Sequence, residues 1–202
     1  MPILMPEPAG FVRSSFGLEA NTLTFSSPLT RSTQRVELAG GRWVASYTIR
    51  QWKKTDDRAA RWIAFFLRCA GQANAFAAYD PDRRTPRGLA TGTPLVNGAG
   101  QAGKYVAVQN CPASKTGWMK AGDYVGINNE MKQLVEDVDT SAGGLATLHF
   151  APAMRAAPPD GSAIQLTNVT CTMILADDRQ GMWEGDVMGI YEPKSFGAME
   201  VF

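Results

Sequence analysis

The clearest helical period in the chain lies in TDDRAARWIAFFLRCAG, Thr55 to Gly71, and it stands among runs that otherwise alternate with the two-residue period of β-strands. Ala59, Trp62, Ile63, Phe66, Leu67 and Ala70 recur at helical spacing and predict one apolar stripe over about residues 55–70. Thr55 is placed to cap the first amides, with Asp56 and Asp57 at the positive end of the helix dipole. Arg68 suits the other end, and Gly71 can adopt the left-handed conformation that ends a helix. A stripe of this size must be buried, so the helix is expected to lie on a sheet. Phe65 points off the stripe and needs a second neighbour, either an inter-domain or inter-subunit contact or a small satellite core.

Before the helix, FVRSSF from Phe11, TLTF from Thr22, TQRVEL from Thr33 and RWVASYTIR from Arg42 read as half-buried antiparallel strands, separated by turn residues at Gly17, Asn21, Pro28 and Gly40-Gly41. After it, NAFAAY leads into DPDRRTPRGLATGTP, whose Pro, Gly and charge mark a boundary. Five short strands are then expected in GKYVAVQ, GDYVGI, MKQLVEDV, LATLHF and SAIQLT, the content of a small barrel. TCTMIL, VMGIY and FGAMEVF resume strand character without enough material for a third core. The expected architecture is mainly β: a β-sandwich with one packed helix, residues 1–88 and 172–202, carrying a small inserted β-barrel, residues 89–171.

A net charge of +1 supplies no field to gather nucleic acid or an anionic membrane around the protein. The opening MPILMPEPAG is broken by three prolines and lacks a basic start, so no signal peptide is expected, and no apolar run is long enough to cross a membrane. Cys69, Cys111 and Cys171 are odd in number and widely spaced. They indicate neither a disulfide framework nor a zinc site, and suit a reducing compartment.

The candidate sites are weak one by one. GAGQAG, 98–103, spells a dinucleotide fingerprint, but a strand rather than a helix follows it, so it reads as a loop. His149, the single histidine, would have to serve any Ser-His-Asp arrangement, yet it alternates with Leu148 and Phe150 onto a polar strand face. Arg50, Trp52, Lys53, Lys54, Arg58 and Arg61 form one basic cluster, and Arg83, Arg84 and Arg87 another; both read as solvated faces or partner contacts. Asp123, Glu130, Glu136, Asp137 and Asp139 crowd one stretch, but strand period and an Asn128-Asn129 turn scatter them over a hairpin, marking turns and wet faces rather than a catalytic pair. The expectation is a protein that is not an enzyme and holds no cofactor or metal.

The order GWMKAGDYVGI, hairpin, KQLVEDVD, GGLATLHF, PAMRAAPPDGSAI and a closing CTMIL resembles the inserted domain of distal tail proteins from long, flexible-tailed (siphovirus-type) bacteriophages. The portion from residue 40 to Tyr79-Asp80-Pro81, with its helix, is similar to the N-terminal part of the same family. The resemblance implies an oligonucleotide/oligosaccharide-type barrel inserted in a ring-forming domain. It also implies a structural role in the virion: a homohexamer at the distal end of the tail, assembled in the host cytoplasm, joining the tail tube protein to the tip or baseplate hub and to receptor-binding proteins. DNA would only pass through its channel. A closed ring needs one patch to meet a different patch on the next copy, and Trp52, Phe65, Trp183 and Tyr191, with the edge strands, are the expected interface residues. The alternatives are another minor tail protein or a carbohydrate-binding module contacting host glycans, with Trp118 as its sugar-stacking residue, and a hydrolase built on His149.

Overall fold

The computed structural model describes residues 2–202. In chain order its strands are β1 (Ile3–Leu4), β2 (Phe11–Glu19), β3 (Thr22–Ser26), β4 (Thr33–Glu37), β5 (Arg42–Ile49), β6 (Trp52–Lys53), β7 (Phe76–Ala78), β8 (Leu95–Val96), β9 (Tyr105–Gln109), β10 (Tyr124–Ile127), β11 (Glu130–Leu134), β12 (Ala146–Ala151), β13 (Cys171–Leu175), β14 (Ile190–Tyr191) and β15 (Lys194–Glu200). One α-helix, α1, spans Asp57–Cys69. The protein is mainly β, as its patterning requires.

Six strands form one curled sheet in the order β1-β7-β13-β15-β5-β2, antiparallel except where β1 joins β7. Its middle follows from alternation: along β5, Trp43, Ala45, Tyr47 and Ile49 turn inward while Arg42, Val44 and Thr48 stay half-covered. Helix α1 closes the inner face. Trp62 lies against Phe11, Phe66 and Phe196 with ring centroids 5.6–5.8 Å apart, and its indole donates to the Ala9 carbonyl at 3.0 Å. Each such ring contributes about 1.5–3 kcal/mol by burial, and satisfying its N–H avoids the cost of an orphaned donor.

The helix differs from the sequence pattern in cap and in phase. Asp56, not Thr55, caps it: the carboxylate accepts from the Arg58 amide at 2.9 Å and from the Arg58 guanidinium, a stronger partner for the helix dipole than a hydroxyl. Ala70 takes the left-handed position at φ 49°. The buried arc is Ala59, Trp62, Phe65, Phe66 and Cys69, whereas Leu67 is 76% exposed. Phe65 packs edge-on to Trp62, Phe66 and Phe76 at 5.2–5.5 Å, so three aromatic contacts outweigh one leucine and roll the helix toward them.

The second sheet, β10-β11-β12-β9-β8, is closed by a segment expected to be a full strand. In SAIQLT only Ala163 and Gln165 make bridges, one to Leu95 on β8 and one to Gly126 on β10. Those two contacts join the sheet's edges into a small barrel. They also show why a regular strand is not needed: each edge takes only one or two residues. Strand β8, in TPLVN, has too short an apolar run to read from pattern. Val106, Val108, Trp118, Ile127, Leu148 and Phe150 fill the barrel. The Asn128-Asn129 turn between β10 and β11 has φ of 49° and 62°, the doubly left-handed geometry of a two-residue hairpin.

Candidate assembly interface

Two features of the sequence meet where the barrel joins the six-stranded sheet. The first is the acidic stretch. Asp123 is not on a wet face: it is 2% exposed and accepts from three backbone amides, Arg87 at 2.8 Å, Gly88 at 3.1 Å and Lys120 at 2.9 Å. It anchors the chain as it enters the barrel, and a side chain at Gly88 would come within 2.5 Å of the Trp118 carbonyl. Glu130 is also mostly buried. It pairs with the fully buried Lys132 at 2.6 Å, beside Arg155, which forks onto Glu200 of β15 at 2.6 and 2.8 Å. Burial pushes the Lys132 ammonium down, an effect opposed by Glu130. Asp137 and Asp139 behave as expected, holding the Ala121 and Gly117 amides from exposed positions. Glu136 sits 3.5 Å from His149 on the outer face.

The second feature is the basic cluster of Arg83, Arg84 and Arg87. Arg83 donates to the Gly122 carbonyl at 2.9 Å, Arg87 to that of Ala121, and Arg84 to Glu7 at 2.7 Å while lying over Tyr79. With the Trp43 indole on the Met131 carbonyl and the Tyr124 hydroxyl on Asp80, the Arg83 and Arg87 bonds clamp the barrel to the sheet, while Arg84 and Glu7 tie two segments of the sheet part together. Tyr124, Met131 and Val169 join the sheet's own core. The charges that looked free for a partner are therefore committed within the chain.

What remains uncovered is a β-arm. Strands β3 and β4 pair only with each other, between the end of β2 and the start of β5. Register places Leu23 opposite Val36 and Phe25 two residues on, so one face of the ribbon is apolar and the other carries Thr22, Thr24, Arg35 and Glu37. Leu23, Phe25 and Val36 are 60, 64 and 55% exposed, and Leu29 at the tip is 94% exposed. The arm is held at its root, by Asn21 on the Ala39 carbonyl and by Glu37 on Lys104 at 2.6 Å. At that root lies an apolar groove of about 500 Å³ between Leu18, Leu38, Pro152, Met154 and Phe202.

The opposite end of the same sheet projects too. Strand β5 runs from Arg42 beside the arm to Ile49, which pairs with Lys194, about 25 Å away for a strand of its length. There β14 pairs with β6 and the chain folds into a hairpin around Val187 and Met188, both fully exposed, with Met182 exposed at its start.

The four expected interface residues divide between core and surface. Phe65 is in the helix core. Trp52 is buried beneath Arg50 and Arg58, 5.3 and 4.1 Å from its ring, and Gly10 leaves no room for a side chain against it. Both are corrections: a large aromatic beside an existing core is drawn into it. Trp183 and Tyr191 are half-buried, stacked at 5.3 Å at the root of the 182–192 hairpin. Trp118 is fully buried with its indole on the Thr91 carbonyl, so it offers no ring to a sugar. His149 is exposed beside Tyr105, and GAGQAG is a loop laced by Gln101 to Asn97, Gly98 and Ala107. Nothing in the pattern of TLTF or TQRVEL distinguishes an exposed arm from a core strand; only its lack of a third strand does.

Among the described residues no group of three or more His, Cys, Asp or Glu side chains could hold a metal ion, and no helix is long and apolar enough to cross a membrane. No family model matches the chain, and no curated protein matches it. The class that fold and surface define is a mainly β protein of two clamped parts with an apolar arm.

Proposed function

We propose that this chain is a structural virion protein of a long-tailed phage, six copies of which form a ring at the distal end of the tail, between the tail tube and the tip hub with its fibres. The observation that carries the reading is the arm. A two-stranded ribbon is marginal in water by itself, and this one turns an apolar face to solvent. Covering what is exposed of Leu23, Phe25, Leu29 and Val36 on another copy would supply about 4–8 kcal/mol before the costs of association, enough to drive assembly once several such contacts close a ring. The near-neutral charge supports a channel wall that lets DNA slide past. Native mass spectrometry and negative-stain microscopy of the purified chain should give a six-fold ring at high concentration. A protein that stays monomeric at every concentration and never joins tail proteins would overturn the reading.

A second reading, a carbohydrate-binding surface on the barrel, is favoured by one observation: Tyr105 is exposed, directly across the ladder from His149, with Glu136 beside it. An aromatic flanked by hydrogen-bonding groups suits a sugar ring. Binding on a glycan array that is lost with Tyr105→Ala would support it; unchanged binding, or none, would sink it.

A further inference from the structure

Two uncovered apolar surfaces of this chain are candidates to receive the arm of a neighbouring copy: the groove at the arm's own root and the 182–192 hairpin at the far end of the sheet. Charge separates them. At the arm's tip Arg31 is exposed, and no ion pair among the described residues includes it. Around the groove the side-chain carboxylates already have cations: Glu19 with Arg42, Glu37 with Lys104 and Glu200 with Arg155. Around the hairpin the reverse holds. The segment from 177 to 192 carries Asp177, Asp178, Glu184, Asp186 and Glu192 against Arg179 alone, and none of the five joins an ion pair among the described residues. The lysines beside them are turned to backbone oxygens, Lys54 to the Asp186 carbonyl at 2.6 Å and Lys194 to that of Met182 at 2.5 Å. The apolar content matches as well. Met182, Val187 and Met188 stand free at the hairpin, and methionine is the side chain that best adapts to a partner's shape.

We infer that the arm of one copy docks on the 182–192 hairpin of the next, Leu23, Phe25 and Leu29 meeting Met182, Val187 and Met188, with Arg31 at the arm's tip facing Glu184 and Glu192. This rests on the assembly reading above and names its contact. Each copy both gives an arm and receives one, from opposite ends of a single sheet, so the contact is heterologous and propagates from copy to copy until rotation closes it. Neither surface is used by the fold: the arm's strands pair only with each other, and Val187 and Met188 are 101% and 82% exposed. Paired charges on exposed rims make the contact weaken in high salt.

The test uses the full chain and sedimentation velocity across a concentration series, with circular dichroism to confirm folding. Arg31→Glu, and separately Glu184→Lys with Glu192→Lys, should each raise the concentration of half-assembly at least tenfold. The three changes together should bring it back to within threefold of the original, which only direct pairing achieves. An oligomer indifferent to both charge reversals overturns this inference and leaves the ring reading standing. Weakening by the arm reversal alone also overturns it, and Leu38→Ser with Met154→Ser then locates the contact in the groove. An original chain that never associates removes both readings.

Discussion

Replacing Asp123 by Asn changes few atoms and should cost much of the protein's stability. The buried carboxylate takes the Arg87 amide on one oxygen and the Gly88 and Lys120 amides on the other. An amide side chain has one acceptor oxygen; whichever way it is turned, its NH₂ group faces at least one backbone N–H. One or two charge-assisted bonds are lost and a buried donor is left opposed, at about 1.5–3 kcal/mol for each such bond. The expected loss is about 3 kcal/mol, a fall in Tm of roughly 6–12 °C for a chain of this length. Urea unfolding followed by tryptophan fluorescence reads it directly, because Trp118 lies against the same chain entry at Gly88. Asp139→Asn is the control: it is exposed and holds only the Gly117 amide, so it should cost under about 1 kcal/mol. If Asp123→Asn unfolds within about 0.5 kcal/mol of the original protein, the carboxylate is not what holds the barrel entry and its burial needs another explanation.

The phase of helix α1 predicts that Phe65→Ala costs about 3–5 kcal/mol while Leu67→Ala stays within about 0.5, measured by the same unfolding; equal costs would restore the other phase. Hydrogen bonds from Arg58 hold the Asp56 carboxyl down to about 2, so this cap favours the folded state above the ordinary carboxylate pKa and the benefit is lost as pH falls from about 4 toward 2. Stability of Asp56→Ala should therefore decline less steeply over that window, and an unchanged slope would refute the cap. Burial pushes the Cys69 and Cys111 thiols up to about 11, and Cys171 is buried as well. An aromatic disulfide reagent at pH 8 should find all three slow in the native protein and fast in urea; a rapid native thiol would show a site that opens.

Much of the fold was readable along the chain. Alternation located the long strands β2, β5, β9, β12 and β15 to within a few residues, because each covers one face of a sheet and leaves the other wetter. The Asn-Asn hairpin was legible because two successive left-handed residues have few other uses. The helix was legible in existence but not in rotation, since Leu67 and Phe65 are both apolar and only the position of Phe76 on the neighbouring strand chose between them. Short elements such as β8 and the Ala163–Gln165 closure carry no period at all.

The uncovered apolar surface was legible only in part. Trp183 and Tyr191 do mark an exposed hairpin, but Trp52 and Phe65 belong to the core, and TLTF and TQRVEL read as two ordinary strands. A period shows that a strand has two faces; it does not show what lies against them. By itself the sequence determined local conformation, since caps, turns and alternation act between residues a few positions apart. Tertiary structure decided which apolar faces found cover and which charges found partners. Asp123 meets amides about 35 residues away and Glu200 meets Arg155 across the junction, whereas Leu23 and Val36 meet only each other, and that difference is set by which distant segments the sheets bring together.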